Sequence, residues 1–193
     1  VIMSIFTGFE NLLSEMYSNF DPDIKVTSKN QTYFSKSDFN FGDLDSSKID
    51  YALTIENKVL AKYENKQFLT NLKGVSKNYE NVTKINDFVK ENFSLDKNNS
   101  YNTIFLGLGL ANYVGIQNES FNKTLSFFYP NFKINSAFGV KPYNTDKAIV
   151  NKIFSFSSDV DNEFAISEIE FAQKLFSKNE LISAIEIKVK NKK

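Results

Sequence analysis

The chain has 193 residues, 41% of them hydrophobic and including 20 Phe and 9 Tyr, enough for the core of one domain or of two small subdomains. Its 23 basic residues, all lysine, balance 23 acidic ones, which excludes a basic field for nucleic acid and bidentate guanidinium recognition of phosphate. His and Cys are absent, which excludes imidazole bases, Ser-His-Asp triads, thiol nucleophiles, disulfides and the usual zinc sites, leaving carboxylates, Lys, Tyr, Ser and Thr as catalytic groups.

Residues 1–20 carry a helical stripe of Ile2, Ile5, Phe6, Phe9, Leu12, Leu13, Met16 and Phe20, with Ser4, Glu10, Asn11, Ser14 and Ser18 on the other face. Two readings stay open. The helix packs on its own domain, or it is the lower end of a transmembrane helix that continues as a stalk. The abrupt start at Val1 in apolar sequence is what a segment cut from a longer protein shows, and no signal-peptide pattern is present. No stretch approaches the ~20 uninterrupted apolar residues that cross a bilayer. Asp21-Pro22-Asp23 ends the helix, because the residue before proline avoids the α region.

Ile24 to Ser28 alternates as a short strand, and a polar, turn-rich stretch follows with a short helix expected near Asp45–Tyr51. Tyr51 to Ala61 and Gln67 to Val75 predict a hairpin turning at Tyr63-Glu64-Asn65-Lys66. Ile85, Phe88, Val89 and Phe93 predict a helix within the Lys- and Asn-rich stretch 76–102. Thr103 to Ile116 is the most apolar run, too short to span a membrane and expected in the core. Thr124 to Tyr129 predicts a strand closed by Pro130, then a long loop from Asn131 to Lys147, then a strand from Ala148 to Phe156. Glu163 to Ser177 has helical period, with Ser167 and Glu170 spaced as a capping box. Ile185, Ile187 and Val189 alternate with charged residues in a half-buried final strand. This order of elements predicts an α+β fold.

The motifs that carry chemistry are weak. Gly107-Leu108-Gly109 lacks the third glycine of a dinucleotide fingerprint, since Asn112 stands there, and no phosphate loop exists. These glycines are expected to permit close packing at a helix entry. Asp159, Asp161 and Glu163 lack the further ligands of a calcium loop and read as a solvated turn, as do Asp21 and Asp23. A carboxylate pair for a hydrolase is defined by spatial separation and is not legible in sequence. Phe127, Phe128, Phe154 and Phe156 read as strand core, whereas Phe138 sits in a polar loop beside Gly139 and Pro142. An apolar residue there either contacts a partner or folds back on the domain.

Several segments in order resemble the lipoprotein-releasing permeases of ABC transporters, of the LolC/LolE type. They are Ile2-Met3-Ser4-Ile5-Phe6-Thr7-Gly8-Phe9-Glu10 with the run 21–26, Leu72-Lys73-Gly74-Val75, Ile104 to Val114, Phe127-Phe128-Tyr129-Pro130, Val150-Asn151-Lys152-Ile153-Phe154 and Asp161 to Leu175. The resemblance spans nearly the whole chain. It departs from many relatives at 150–154, where they carry glycine, and in the longer connection 76–102, which leaves open a MacB/FtsX-type mechanotransmitting permease, an exporter of the macrolide-exporter type or a cell-division-type regulator, with another substrate or partner. It implies a two-part periplasmic core domain: a membrane-proximal stalk helix at 1–20, a porter-like βαβ-type part from 21–78 and 158–193, and an inserted β-rich, sabre-like part at 79–157. It implies a non-catalytic domain in the periplasm, tied to the inner membrane and needing no cofactor or metal. Its partners would be a second permease, a cytoplasmic ATPase, the lipoprotein substrate and a periplasmic lipoprotein chaperone. Phe138, Gly139, Val140, Lys141 and Pro142 would form the chaperone-binding hook, and Ile2, Phe6, Phe9 and Leu13 would face the stalk or lipoprotein.

Overall fold

The computed structural model describes residues 22–45, 47–89, 101–116, 123–131 and 141–190. In chain order the strands are β1 (Ile24–Val26), β2 (Phe34–Ser35), β3 (Ile49–Tyr63), β4 (Lys66–Val75), β5 (Thr103–Gly107), β6 (Lys123–Pro130), β7 (Tyr143–Phe154), β8 (Phe164–Glu168), β9 (Leu181–Ile182) and β10 (Ala184–Val189). The α-helices are α1 (Tyr79–Val82), α2 (Leu108–Val114), α3 (Ser158–Glu163) and α4 (Ile169–Phe176), and short 3-10 turns occupy Lys36–Asp38, Phe41–Asp43 and Ile85–Phe88.

The alternating segments on either side of Glu64-Asn65 form the expected hairpin, with Tyr63 opposite Lys66. The eight-stranded sheet has the order β1-β10-β3-β4-β8-β5-β7-β6, and β6 also pairs with β3. Strands β3, β4, β8, β5, β7 and β6 therefore close a ring. The first part of β3 pairs with β10, from Ile49 to Thr54. Farther along the same edge, Leu60 to Lys62 pair with β6. Between these two partners side chains meet the backbone: Glu56 N–H donates to Ser183 Oγ and Lys58 N–H to Asn57 Oδ1, while Asn57 Nδ2 donates to Tyr129 Oη at 3.0 Å and to Tyr33 Oη.

Helix α4 touches β3, β4, β6, β7 and β8, which one helix achieves only from the concave side of the ring. Its Ile169, Phe171, Ala172, Leu175 and Phe176 are buried there with Leu72, Leu106, Leu125 and Phe127. Gly74 makes the approach possible, since a Cβ at that position would lie 2.5 Å from Ala172 Cβ. A second core on the other sheet face joins Val75, Tyr79, Val82, Ile85, Phe105, Phe154 and Ile166. The glycines of the apolar run act as expected: a Cβ on Gly107 would collide with the Asp161 backbone of α3.

Four expectations are corrected. Asp45–Tyr51 is not helical; it holds a turn, with Ser47 N–H donating to Asp45 Oδ1, and then β3 from Ile49. The predicted loop 131–147 is already strand from Tyr143. Its inward residues are polar because they meet the exposed end of α4: Asn144 donates to the Leu175 carbonyl, and Asp146 pairs with Lys174. The predicted helix 163–177 begins as β8, held between β4 and β5 and buried on both faces, so its apolar residues merge with those of the following helix. Ser167 therefore does not cap; its hydroxyl donates to the Glu168 carbonyl. Finally, Asp161 is no solvated carboxylate. It is 6% exposed and accepts hydrogen bonds from Phe156 N–H at 2.7 Å and Ser155 Oγ at 3.1 Å, pinning the entry of α3.

A buried ion pair crosses the second face of the sheet. Lys73 of β4 is opposite Glu56, and Glu186 of β10 is opposite Ala52, with Thr54 of β3 between them. The Lys73 Nζ lies 2.9 Å from Glu186 Oε1, and Thr54 Oγ1 donates to the same oxygen at 3.3 Å. The ammonium also lies 5.0 Å from the Tyr79 ring centroid. Burial favours the neutral lysine, but Tyr79 and Glu186 outweigh it and hold the ammonium above its ordinary pKa. Burial is likewise the main force that pushes the Tyr79 phenol up to about 12.

Three outcomes follow from this packing. Lys73→Met strands the Glu186 carboxylate and should lower unfolding stability by about 3–5 kcal/mol, whereas Lys73→Met with Glu186→Leu should recover most of the loss in urea denaturation. Lys73 and Tyr79 bind protons more tightly folded than unfolded, so stability is complete below their ordinary values of 10.5 and 10.0 and falls as pH rises beyond them. An alkaline melting series would show it, and Tyr79→Phe should remove part of the slope. Gly74→Ala should destabilise by about 1–3 kcal/mol by forcing α4 off the sheet, measured by the same denaturation.

Candidate functional site

Near the hairpin tip, Val59 and Ala61 of β3 and Phe68 and Thr70 of β4 face the ring interior and are buried. The alternate phase, Lys58, Leu60 and Lys62 on β3 with Gln67, Leu69 and Asn71 on β4, faces outward. Two leucines therefore occupy a phase that is otherwise polar. Leu69 is 63% exposed and stands opposite Leu60, which on its other side stands opposite Phe128 of β6. Tyr143 of β7 meets Phe128 edge-on, with ring centroids 5.6 Å apart. Pro130 and Pro142 form a wall, and the whole makes a groove of about 570 Å³.

Lys58 and Lys62 are exposed on either side of Leu60. Beneath the groove, Tyr129 anchors β6 through Asn57, and it also packs on Phe176 of α4 at 4.9 Å between centroids. Burial, with help from the neighbouring Tyr33, pushes the Tyr129 phenol up to about 12, so this hydroxyl stays a neutral hydrogen-bonding strut.

A second hollow of about 300 Å³ lies between β3, the end of β4 and the start of α4, bordered by Tyr51, Ser76, Glu168 and Glu170. Among the described residues no group of three or more metal-binding side chains comes together. The buried Lys73–Glu186 pair is closed to solvent, at 4% and 0% exposure, and so cannot meet a substrate. What the described surface offers is apolar contact framed by positive charge, which is a means of binding.

Of the residues singled out in the sequence, Lys141 and Pro142 are exposed, and Pro142 borders the groove. Phe138, Gly139 and Val140 lie outside the described residues, as do Ile2, Phe6, Phe9 and Leu13. Sequence reasoning missed Leu60 and Leu69. The available signal was that each leucine breaks the polar phase of its strand, and the hairpin turn sets them opposite each other. Phe128 was read as core but is only half-buried.

No family model matches the sequence, and no curated protein matches it. Solved structures do share the fold. One is the extracellular domain of the noncanonic ABC-type transporter YknZ from Gram-positive bacteria, 11% identical, with a TM-score of 0.58 over 87% of this chain and 82% of that one. Another is the periplasmic region of MacB from Actinobacillus actinomycetemcomitans, 16% identical, with a TM-score of 0.56 over 86% of this chain and 69% of that one. The chain has the α+β fold of these two domains.

Proposed function

We propose that this chain is the extracytoplasmic domain of an ABC transporter permease, non-catalytic in itself, that helps release lipoproteins from the inner membrane and passes them to a periplasmic chaperone. The observation that carries the permease reading is the shared fold along most of the chain with extracytoplasmic domains of two transporters. The positions of the described ends fit it. Asp23 and Lys188 form an ion pair beside the start of β3, and Asp23 also accepts from Val189 N–H. The described residues thus begin and end at one pole, an arrangement suited to a domain placed between two membrane segments. The groove around Leu60 lies about 30 Å farther along β3, away from that pole. ATP hydrolysis then falls to a separate cytoplasmic subunit, which accords with a sequence lacking any phosphate loop.

The lipoprotein reading rests on the sequence resemblance. In it, 21–78 and 158–193 form the porter-like part, 79–157 the inserted sabre-like part, and 1–20 the stalk presenting Ile2, Phe6, Phe9 and Leu13 to the second permease or the lipoprotein. Phe138, Gly139, Val140, Lys141 and Pro142 form the chaperone hook. The second reading, a mechanotransmitting exporter or regulator with another substrate or partner, is equally consistent with the two structures that share the fold.

Two measurements test these levels separately. The full-length protein should co-purify with an ABC-type ATPase, and failure to do so would remove the permease reading. Titration of this chain with the periplasmic lipoprotein chaperone should give saturable binding that Phe138→Ala and Val140→Asp each weaken by about tenfold or more. Wild-type affinity in both folded variants would dismiss the hook while leaving the permease reading intact.

A further inference from the structure

We propose that the outer groove over Leu60, Leu69 and Phe128 docks an amphipathic helix of another protein, apolar along one face and acidic on both shoulders. Strand register supplies the geometry. Leu69, Leu60 and Phe128 are directly opposite neighbours on three adjacent strands, so they form an apolar row across the strands about 10 Å long. Tyr143, in contact with Phe128, prolongs it onto a fourth strand.

On β3, Lys58 and Lys62 lie two residues to either side of Leu60 on the same face, about 7 Å from the row on each flank. A helix is about 10 Å wide. Laid along the row, it brings side chains at i, i+3, i+4 and i+7 over the leucines and Phe128, and its two polar shoulders over the two lysines. Lys147 strengthens one flank, because it stands opposite Ser126, which in turn stands opposite Lys62. Lys58, Lys62 and Lys147 form no ion pair with a described carboxylate. Cations on both flanks of an apolar row call for carboxylates on both shoulders of the ligand.

Other occupants fit less well. An extended peptide adds to a strand edge, and here the closed ring pairs the tip of β3 with β4 on one side and β6 on the other. An anionic bilayer is a plane, whereas the wall of Pro130 and Pro142 leaves Phe128 half-buried in a concave groove suited to a cylinder.

The test uses a synthetic peptide of about 18 residues, five helical turns, with leucine along one face and glutamate on both shoulders. A twin peptide carries lysine in place of each glutamate. Titration into this chain, followed by backbone amide chemical shifts, should show saturable binding with shifts centred on Leu60, Leu69, Phe128 and Tyr143. Lys58→Glu with Lys62→Glu should weaken the acidic peptide by about tenfold or more and create binding of the lysine twin. Leu60→Ser with Leu69→Ser should abolish binding of the acidic peptide. If that leucine variant unfolds, the charge reversal decides alone, since both lysines are exposed and their exchange leaves the core intact. No binding of the acidic peptide, or equal binding to the charge-reversed chain, overturns the proposal. So does binding to phosphatidylglycerol vesicles that the charge reversal abolishes while the peptide stays unbound.

Discussion

The fold depends on one strand serving two neighbours along one edge. β3 spans Ile49–Tyr63, pairs with β10 over its first part and with β6 near its tip, while β4 runs along the opposite edge. A strand that changed partner without protection would leave backbone donors and acceptors bare at the crossover, at a cost of about 1–3 kcal/mol for each buried group. Ser183 Oγ and Asn57 Oδ1 accept from the backbone N–H groups of Glu56 and Lys58 there, while Asn57 Nδ2 ties β3 to Tyr33 and Tyr129. Because β6 returns to β3, the six strands enclose one interior, and α4 fills it.

The same arrangement explains why the two faces of the sheet differ. The concave face is satisfied by apolar packing on α4, which Gly74 allows to lie close. The other face carries the Lys73–Glu186 pair beneath Tyr79 of α1. A buried pair of this kind adds little net stability over an apolar replacement, but a lysine that finds its carboxylate across β3 penalises any shift in register among β4, β3 and β10. β3 and β10 run together to the pole where the described residues begin and end, and β4 joins β3 from Thr54 on.

The groove is a surface consequence of ring closure. Leu60 gains Phe128 as a neighbour only because β6 docks on β3, and Tyr143 arrives only because β7 follows β6. Farther along β3 from the Asp23–Lys188 ion pair, the described surface presents an apolar row between exposed lysines. Among the described residues the strongly perturbed lysine, Lys73, is sealed inside rather than at this surface.

The amino-acid sequence by itself determined the fold class, the β3–β4 hairpin, the final strand and the close packing at Gly107, because each rests on local periodicity, turn chemistry or the size of one residue. Of the hook expected at 138–142 within the loop 131–147, only Lys141 and Pro142 are described; both are exposed and Pro142 borders the groove. Other features were decided by tertiary structure. Phe164–Glu168 is strand because β4 and β5 bury both its faces, and a strand buried on both faces has no alternation to read. Tyr143 to Lys147 is strand although polar, because Asn144 and Asp146 face the end of α4 rather than an apolar layer. Asp161 is buried because the backbone of Phe156 and the hydroxyl of Ser155 turn toward it. The apolar row was half legible, since the hairpin turn sets Leu60 opposite Leu69, but Phe128 joins it from more than sixty residues away through a pairing that no local pattern encodes. Long-range strand pairing carries no periodic signature, so the surface it creates exists only in the folded chain.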